Sequence, residues 1–315
     1  MTGSTTQSAA GTETRSLRRA RPRYGEAAIK AVLLAAALVS VATTAGIVIS
    51  LIPPAAEFFQ QVDIGEFLTG TQWTPLFSDK HFGVLPLVAA TLVITGIAVL
   101  VAIPVGLGAA IYLSEYAKPR VRKFLKPSLE VLAGIPTVVY GFFALAFITP
   151  LLQDTLPEGW APEVRNGLAA GLVMGVMIVP TIASLTEDAL SAVPHALRDG
   201  AFALGSGKRT VSVRVVVPAA LSGIVAACVL GISRAIGETM IVLIAAGSKP
   251  DFTINPLVEM ETMTAFIARA ASGDVPVGSI SYNTIFAVGA LLFLATFVMN
   301  MISIRLVRKY REVYE

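Results

Sequence analysis

Long apolar stretches separated by short polar connections dominate the hydrophobic pattern of this chain. Five of them carry no charge and are long enough to cross the roughly 30 Å core of a bilayer as helices, at about 1.5 Å per residue. These five are residues 31–56, 82–114, 131–153, 166–186 and 275–304. A sixth stretch, residues 218–247, is equally apolar except for Arg234 and Glu238. The pattern predicts an all-α integral membrane protein with six transmembrane helices.

Composition agrees with this class, since only 14% of the 315 residues are charged and the mean hydropathy is +0.73. Soluble domains carry roughly one-quarter charged residues.

The first apolar stretch follows a basic segment, as in a secretory signal, but its roughly 26 residues exceed the 7–15 of a signal core. We therefore interpret it as an anchoring helix. Residues 1–26, rich in Thr, Ser, Gly and Arg, predict a disordered basic tail, which leaves residues 27–315 as the membrane domain.

Lysine and arginine fall mostly on one side of the predicted helices. They concentrate in the N-terminal tail, in the second-to-third and fourth-to-fifth connections, and in the C-terminal tail. The positive-inside rule then predicts that both termini are cytoplasmic. We expect the chain to lie in the bacterial cell (inner or plasma) membrane. This bias accounts for the basic balance of the chain, so we expect membrane lipid and no nucleic acid as a partner.

Arg234 and Glu238 are two full charges inside a stretch otherwise suited to lipid. An Arg near the centre of a membrane helix costs roughly 2.5–3.5 kcal/mol on insertion scales. On one continuous helix, a spacing of four places both side chains on one face, where each neutralises the other. The functional interpretation is an ion-binding point on a transport pathway, and the structural one is a buried pair that locks two helices. Pro218 lies at the predicted cytoplasmic end of this stretch, and a continuous helix would place Arg234 about 24 Å from it.

Other candidate residues are weaker. Thr137 and Tyr140 follow Pro136 on the predicted third helix and are lesser candidates for the pathway. Glu130, at the start of the predicted third helix, is favoured there by the helix dipole without further purpose. Glu187 and Asp188, at the cytoplasmic end of the fourth, are interpreted first as interfacial.

The chain offers no pattern for a disulfide or a metal site. Cys228 is the only cysteine, and His81 and His195 stand without ligands at metal-binding spacing. We expect no catalytic residue and no metal or other cofactor on this chain.

The external loop, residues 53–81, begins with Pro53 and Pro54, which we expect to end the first helix. The aromatic residues that follow suggest a helix at the membrane interface: Phe58, Phe59, Phe67 and Trp73. This segment is either a cover over a pore mouth or part of a docking surface for an external partner.

The cytoplasmic loop, residues 189–218, predicts a short helix of about three turns. Pro194 suits its first position and Gly205 its C-terminal cap. Further along, residues 205–210 resemble a nucleotide-binding loop, but that pattern requires Gly at 202 and Ser or Thr at 209, where Phe202 and Arg209 stand. We expect no ATP site and no enzymatic activity on this chain.

This loop resembles the EAA motif of ABC-importer permeases. Asp199, Gly200 and Ala201 stand at the Glu-Ala-Ala positions, Gly205 at the motif glycine and Pro218 at the closing proline. The spacing matches throughout, with Asp in place of Glu and Gly in place of Ala. The resemblance implies a type I importer permease of MetI-like architecture, whose loop forms a coupling helix in a cleft of a cytoplasmic ATPase. The residues it assigns to that coupling are Pro194, Asp199, Gly200, Ala201 and Gly205.

Further stretches resemble phosphate permeases of the PstC type. They are FLTGTQWTP at 67–75, AGIPTVVYGFF at 133–143 and SRAIGETM at 233–240. The resemblance covers roughly residues 27–315 and implies import of inorganic phosphate, with Arg234 and Glu238 associated with its passage. It implies three partners: a homologous PstA-type permease, a PstB-type ATPase dimer that binds ATP and Mg, and an external PstS-type binding protein.

Two alternatives stay open from the residues. In the first, the chain transports another oxyanion, such as phosphonate, sulfate or molybdate, past the same Arg–Glu pair. In the second the chain is an ion-coupled secondary carrier with Glu238 as a proton site, although that carrier does not require the coupling loop.

Overall fold

The computed structural model describes residues 24–157 and 159–310. Within them all regular structure is helical except one isolated bridge between Trp73 and Phe82, so the predicted all-α class is confirmed. In chain order the helices are α1 Tyr24–Gln61, α2 Ile64–Thr69, α3 Leu85–Ile111, α4 Pro119–Ala133, α5 Thr137–Phe143, α6 Thr149–Thr155, α7 Gly167–Ser191, α8 His195–Ala203, α9 Lys208–Val211, α10 Val217–Ala219, α11 Leu221–Ile236, α12 Met263–Ser272 and α13 Ile280–Tyr310. Four π-helical turns extend them, Tyr112–Tyr116, Ala144–Ile148, Ser212–Val216 and Val242–Ala246.

Five helical stretches in the described residues are long and apolar enough to cross a membrane. They are Ala28–Gln61, Leu85–Tyr116, Thr137–Thr155, Gly167–Ser191 and Ile280–Arg305. A sixth span arises only if Lys208–Ala219 and Leu221–Ile236, which are bent by 72° at Ala220, count as one. The chain is therefore a multi-pass membrane protein, with five or six spans among its described residues.

The chain divides into two units after Ser50. The described part of the first unit, residues 24–50, is a helix with exposed apolar side chains such as Val32, Leu33 and Leu38. Such a surface suits lipid or another apolar helix. Residues 1–23 of the predicted tail lie outside the described residues, whereas its last three, from Tyr24, already belong to α1.

The core of the second unit is the packing of α3 against α7. Gly171 and Gly175 on α7 bring its backbone close to Ile97 and Val101 of α3, as small residues do between membrane helices. On the same core, α11 packs against α7, α3 and α13. Helix α7 is thus the central element of this unit.

Aromatic side chains form a second core at one end of this unit, which we call the Trp73 end. Phe58, Phe67 and Trp73 are at most 2% exposed, and the rings of Trp73 and Phe266 meet edge to face at 5.0 Å. The expectation that Pro53 and Pro54 end the first helix is wrong, since α1 continues to Gln61. Beyond the two prolines, Phe58 packs into this second core and stabilises the last part of α1. These aromatic residues are buried in protein, contrary to the expected interfacial helix.

The third apolar stretch is divided, contrary to the expected helix. Helix α4 ends at Ala133, and α5 begins at Thr137 directly after Pro136. Proline lacks a backbone N–H and disfavours helical geometry at the residue before it, so a break at this position follows. Glu130 consequently belongs to α4 and does not start the third span.

Candidate functional site

The segment that carries Arg234 and Glu238 is broken between the two residues. Helix α11 ends at Ile236, Gly237 caps it, and helical structure resumes only at Met240. The expected face shared by Arg234 and Glu238 on one continuous helix is therefore wrong. A spacing of four places two side chains together only where the helix is continuous.

Arg234 lies in the last turn of α11, and its side chain is exposed in this single chain. Its Nε donates to Sδ of Met177 on α7 at 3.4 Å. Within residues 24–157 and 159–310, no carboxylate oxygen lies within 4 Å of its guanidinium nitrogens. The expected neutralising pair with Glu238 is wrong, and the Arg234 charge is left available to a ligand.

Glu238 instead caps the helical segment 240–246. Its Oε1 accepts from the backbone N–H groups of Met240 and Ile241 at 3.1 and 3.4 Å, as an N-cap side chain does. Its backbone carbonyl accepts from Thr264 Oγ1 on α12 at 2.6 Å. The carboxylate is half-buried, and it holds the break in the chain in a fixed geometry.

Thr137 and Tyr140 lie on α5, beside the segment 240–246. A Cβ added at Gly141 would meet Ile244 and the carbonyl of Met240 at 3.0–3.2 Å, which shows how closely the two elements approach. The Tyr140 hydroxyl donates to the Leu132 carbonyl at 3.0 Å. In the part of the chain that the structure describes, no hydrogen bond joins Thr137 or Tyr140 to Arg234 or Glu238.

The short helix predicted in the loop 189–218 is present as α8. Pro194 precedes its first residue, and Gly205 follows its cap with φ +79°, the left-handed geometry that favours glycine. The Ser206 N–H donates to the Ala201 carbonyl at 3.1 Å and closes the helix end. One face, with Leu197 and Ala201, packs on the protein.

Asp199 and Gly200 lie on the exposed face of α8. That face is free to contact another molecule, and the side chain of Asp199 takes part in none of the hydrogen bonds or ion pairs of the described residues. Within the second unit α3 and α7 run in parallel, Trp73 precedes α3, and α8 follows α7, so the EAA-like motif lies at the end of this unit opposite Trp73, which we call the α8 end.

Two glycine substitutions are expected to act oppositely on α8. A Cβ at Gly200 meets nothing within 4 Å, so Gly200→Ala should stabilise α8 by about 0.5–1 kcal/mol because Ala restricts the unfolded chain. Gly205→Ala places a side chain at positive φ and should cost about 1 kcal/mol or more. Thermal unfolding of both variants in detergent checks this, and equal shifts in Tm for the two would contradict it.

Sequence reasoning missed two charge networks at the α8 end. Glu187 is fully buried and binds both Arg122 and Lys126 of α4, and Lys126 also contacts Asp188 at 2.6 Å. Hydrogen bonds to Asp188 and Glu187 raise the pKa of Lys126, which therefore stays charged. The interfacial interpretation of Glu187 is wrong, because the carboxylate lies between helices.

The second network joins α8 to the end of α3. Arg198 on α8 contacts Glu115 at 2.9 Å, and both side chains are nearly buried, at 12% and 8% exposure. The partners are 83 residues apart, and the signal in the sequence is an acidic residue at the start of the strongly basic connection between the second and third predicted helices.

Residues 102–312 match the family described as binding-protein-dependent transport system inner membrane component. The chain belongs to this family. The match contains α4 to α13, and so includes both Arg234 and α8.

Two curated relatives cover most of the chain. It is 34% identical over 284 residues to the probable ABC transporter permease protein YqgH of Bacillus subtilis, with 90% of each chain covered. It is 30% identical over 294 residues to the phosphate transport system permease protein PstC of Mesorhizobium japonicum, with 88% of each covered. The predicted resemblance to PstC-type permeases is confirmed.

A solved structure shows the same fold. An inward-facing conformation of the MetNI methionine ABC transporter aligns with a TM-score of 0.53 at 19% identity, over 73% of this chain and 95% of that chain. The predicted MetI-like architecture is confirmed.

Proposed function

We propose that this chain is the membrane-spanning subunit of an ATP-driven importer that moves inorganic phosphate into the cytoplasm. The observation that carries the proposal is Arg234, an exposed guanidinium without a carboxylate partner among the described residues, inside a segment otherwise fit for lipid. The PstC relative is named as a phosphate transport system permease protein, which supports phosphate as the anion.

A full charge exposed to hydrocarbon is costly, so the surface around Arg234 faces a water-filled path or another subunit. Guanidinium donors match an oxyanion with two parallel hydrogen bonds, which gives Arg234 the geometry to hold phosphate briefly. Glu238 lies four residues on as a fixed negative charge that keeps such binding weak enough for release. A PstA-type permease supplies the other wall of the path.

Helix α8 is the proposed contact with a PstB-type ATPase dimer, which binds ATP and Mg. Its exposed residues Asp199 and Gly200 enter a cleft of that subunit, with Pro194, Ala201 and Gly205 fixing the helix. The glycine-rich stretch after α8 continues directly into α9, which begins at Lys208, and Phe202 and Arg209 depart from a nucleotide loop. The chain therefore acts as a transport subunit without its own nucleotide site or enzymatic activity.

In this proposal both termini lie in the cytoplasm, so the α8 end is cytoplasmic and the Trp73 end is external. The Trp73 end then receives phosphate from a PstS-type binding protein. A cavity of about 310 Å³ at this end, lined by residues that include Trp73, Phe77 and Lys249, belongs to that external surface.

Uptake of labelled phosphate by proteoliposomes that contain the chain, its partner permease and the ATPase tests the proposal. With loaded binding protein outside and ATP inside, we expect phosphate uptake that stops without ATP. Uptake that continues without ATP would support the secondary carrier, and ATP-dependent uptake of sulfate, molybdate or phosphonate in place of phosphate would support the oxyanion alternative. ATP hydrolysis by the purified chain alone would contradict the absence of a nucleotide site.

A further inference from the structure

We propose that Arg198 is a positioning residue that fixes α8 to the ends of α3 and α7, and that α7 transmits movement between α8 and Arg234. The inference rests on the proposed function, because it takes α8 as the contact with the ATPase. It assigns the mechanical connection to α7, for which the sequence pattern indicated no such role.

Arg198 joins three elements through one side chain. Its Nη2 donates to Glu115 Oε1 at 2.9 Å and to the Leu190 carbonyl at 2.8 Å, and its Nη1 donates to the Val193 carbonyl at 2.6 Å. Glu115 belongs to the π turn that extends α3, and Leu190 lies in the last turn of α7.

The position of these bonds makes them strong. A cation interacts favourably with the carbonyl groups at the C-terminal end of a helix, and Arg198 occupies this position at the end of α7, where it donates to the carbonyls of Leu190 and Val193. Its side chain and that of Glu115 are 12% and 8% exposed, so water competes little for the charge-assisted hydrogen bonds. Movement of α8 away from α7 would break all of these bonds together.

Helix α7 is continuous where the neighbouring segment is not. It runs from Gly167 to Ser191 without a break, and Met177 on it accepts the hydrogen bond from Arg234. Met177 lies thirteen residues before Leu190, a distance of about 20 Å along a helix. One continuous helix, with Pro180 inside it, therefore contacts both Arg198 and Arg234.

The alternative connection runs through α11, which carries Arg234 itself. That route is bent by 72° at Ala220, and it passes through the π turn Ser212–Val216 before reaching α8. The expectation of one continuous helix between the cytoplasmic loop and Arg234 is therefore wrong. The route through α11 therefore changes direction at Ala220, whereas the route through α7 follows a single helix.

A second set of bonds holds α4 to the same end of α7. Buried Glu187 pairs with Arg122 and Lys126, and Ser191 Oγ donates to Glu187 and accepts from Arg122 at 3.0 Å. Charged groups therefore connect α8, through Arg198, to the ends of α3 and α7, and connect α4 to the same end of α7.

The first test is the number of ATP molecules hydrolysed per phosphate transported by the reconstituted complex. Arg198→Gln and Glu115→Gln are expected to retain at least half of the ATP hydrolysis but to raise this ratio at least fivefold. Arg209→Gln is the matched control, an exposed cation of the same loop without an ion pair among the described residues, and it should leave the ratio unchanged. An unchanged ratio in Arg198→Gln overturns the inference.

The second test does not depend on phosphate or on transport. Spin labels at Leu185→Cys on α7 and Leu204→Cys at the end of α8, with Cys228→Ala, report the distance between the two helices in the complex. We expect one narrow distance distribution that is the same without nucleotide and with trapped ATP, and a broad one in Arg198→Gln. A wild-type distance that changes with nucleotide overturns the inference, even where uptake assays support the proposed function. Failure of ATP-dependent uptake in the wild type, with the narrow distance retained, refutes the proposed function alone.

Discussion

Replacing Arg234 with Gln is expected to lower ATP-dependent phosphate uptake at least about a hundredfold, while the complex still assembles. Gln keeps an amide that reaches Met177, but it loses the charge and the paired donors that match an oxyanion. A hundredfold decrease corresponds to a loss of about 2.7 kcal/mol in the free energy of interaction with the anion. Initial rates of labelled phosphate uptake into proteoliposomes measure it, with ATP hydrolysis recorded on the same preparation.

Two further variants make this result specific. Arg234→Lys keeps the charge without the bidentate geometry and should give an intermediate rate. Arg214→Gln removes an exposed cation from the same stretch of chain, at the α8 end, and should transport normally. Normal uptake by Arg234→Gln contradicts the pathway role and leaves Arg234 as a helix-packing residue.

The elements that could be predicted from the sequence are those fixed by local chemistry. Five spans could be located from stretches of sequence without charged residues, because a helix that crosses the lipid bilayer is almost always apolar. Pro194 and Gly205 located α8 for an equally local reason, since one residue suits a helix start and the other adopts positive φ past its end. Both predictions needed only the chemistry of single positions.

The break at Gly237 could not be predicted in this way. Nothing in the sequence around Arg234 and Glu238 forbids a helix, and the break depends on contacts made elsewhere, including the bond from Thr264 to the Glu238 carbonyl. The pair of Glu115 with Arg198 is hidden for the same reason, because partners 83 residues apart meet only once α3 and α7 have packed. Sequence patterns report helix faces, whereas tertiary packing decides which charges meet.

Glu238 has two possible roles, which two substitutions separate. Gln at this position still offers an oxygen to the N–H groups of Met240 and Ile241, so Glu238→Gln keeps the cap and removes only the charge. Glu238→Ala removes both, and loss of a cap costs about 0.5–2 kcal/mol. We expect Glu238→Gln to unfold at the wild-type temperature but to transport phosphate at least about tenfold more slowly, because a path without the opposing charge releases the anion poorly.

The comparison between the two variants decides the role of the carboxylate. If the charge matters, Glu238→Gln and Glu238→Ala both lose transport, and only Glu238→Ala also lowers the Tm in detergent. If Glu238 is only a cap, Glu238→Gln transports at the wild-type rate and Glu238→Ala alone is impaired. Because Glu238 does not neutralise Arg234 in this structure, a purely structural result for Glu238 would leave the role of Arg234 intact. The Arg234 charge then meets the anion without an internal competitor, and the weak binding that conduction requires has to come from the partner permease.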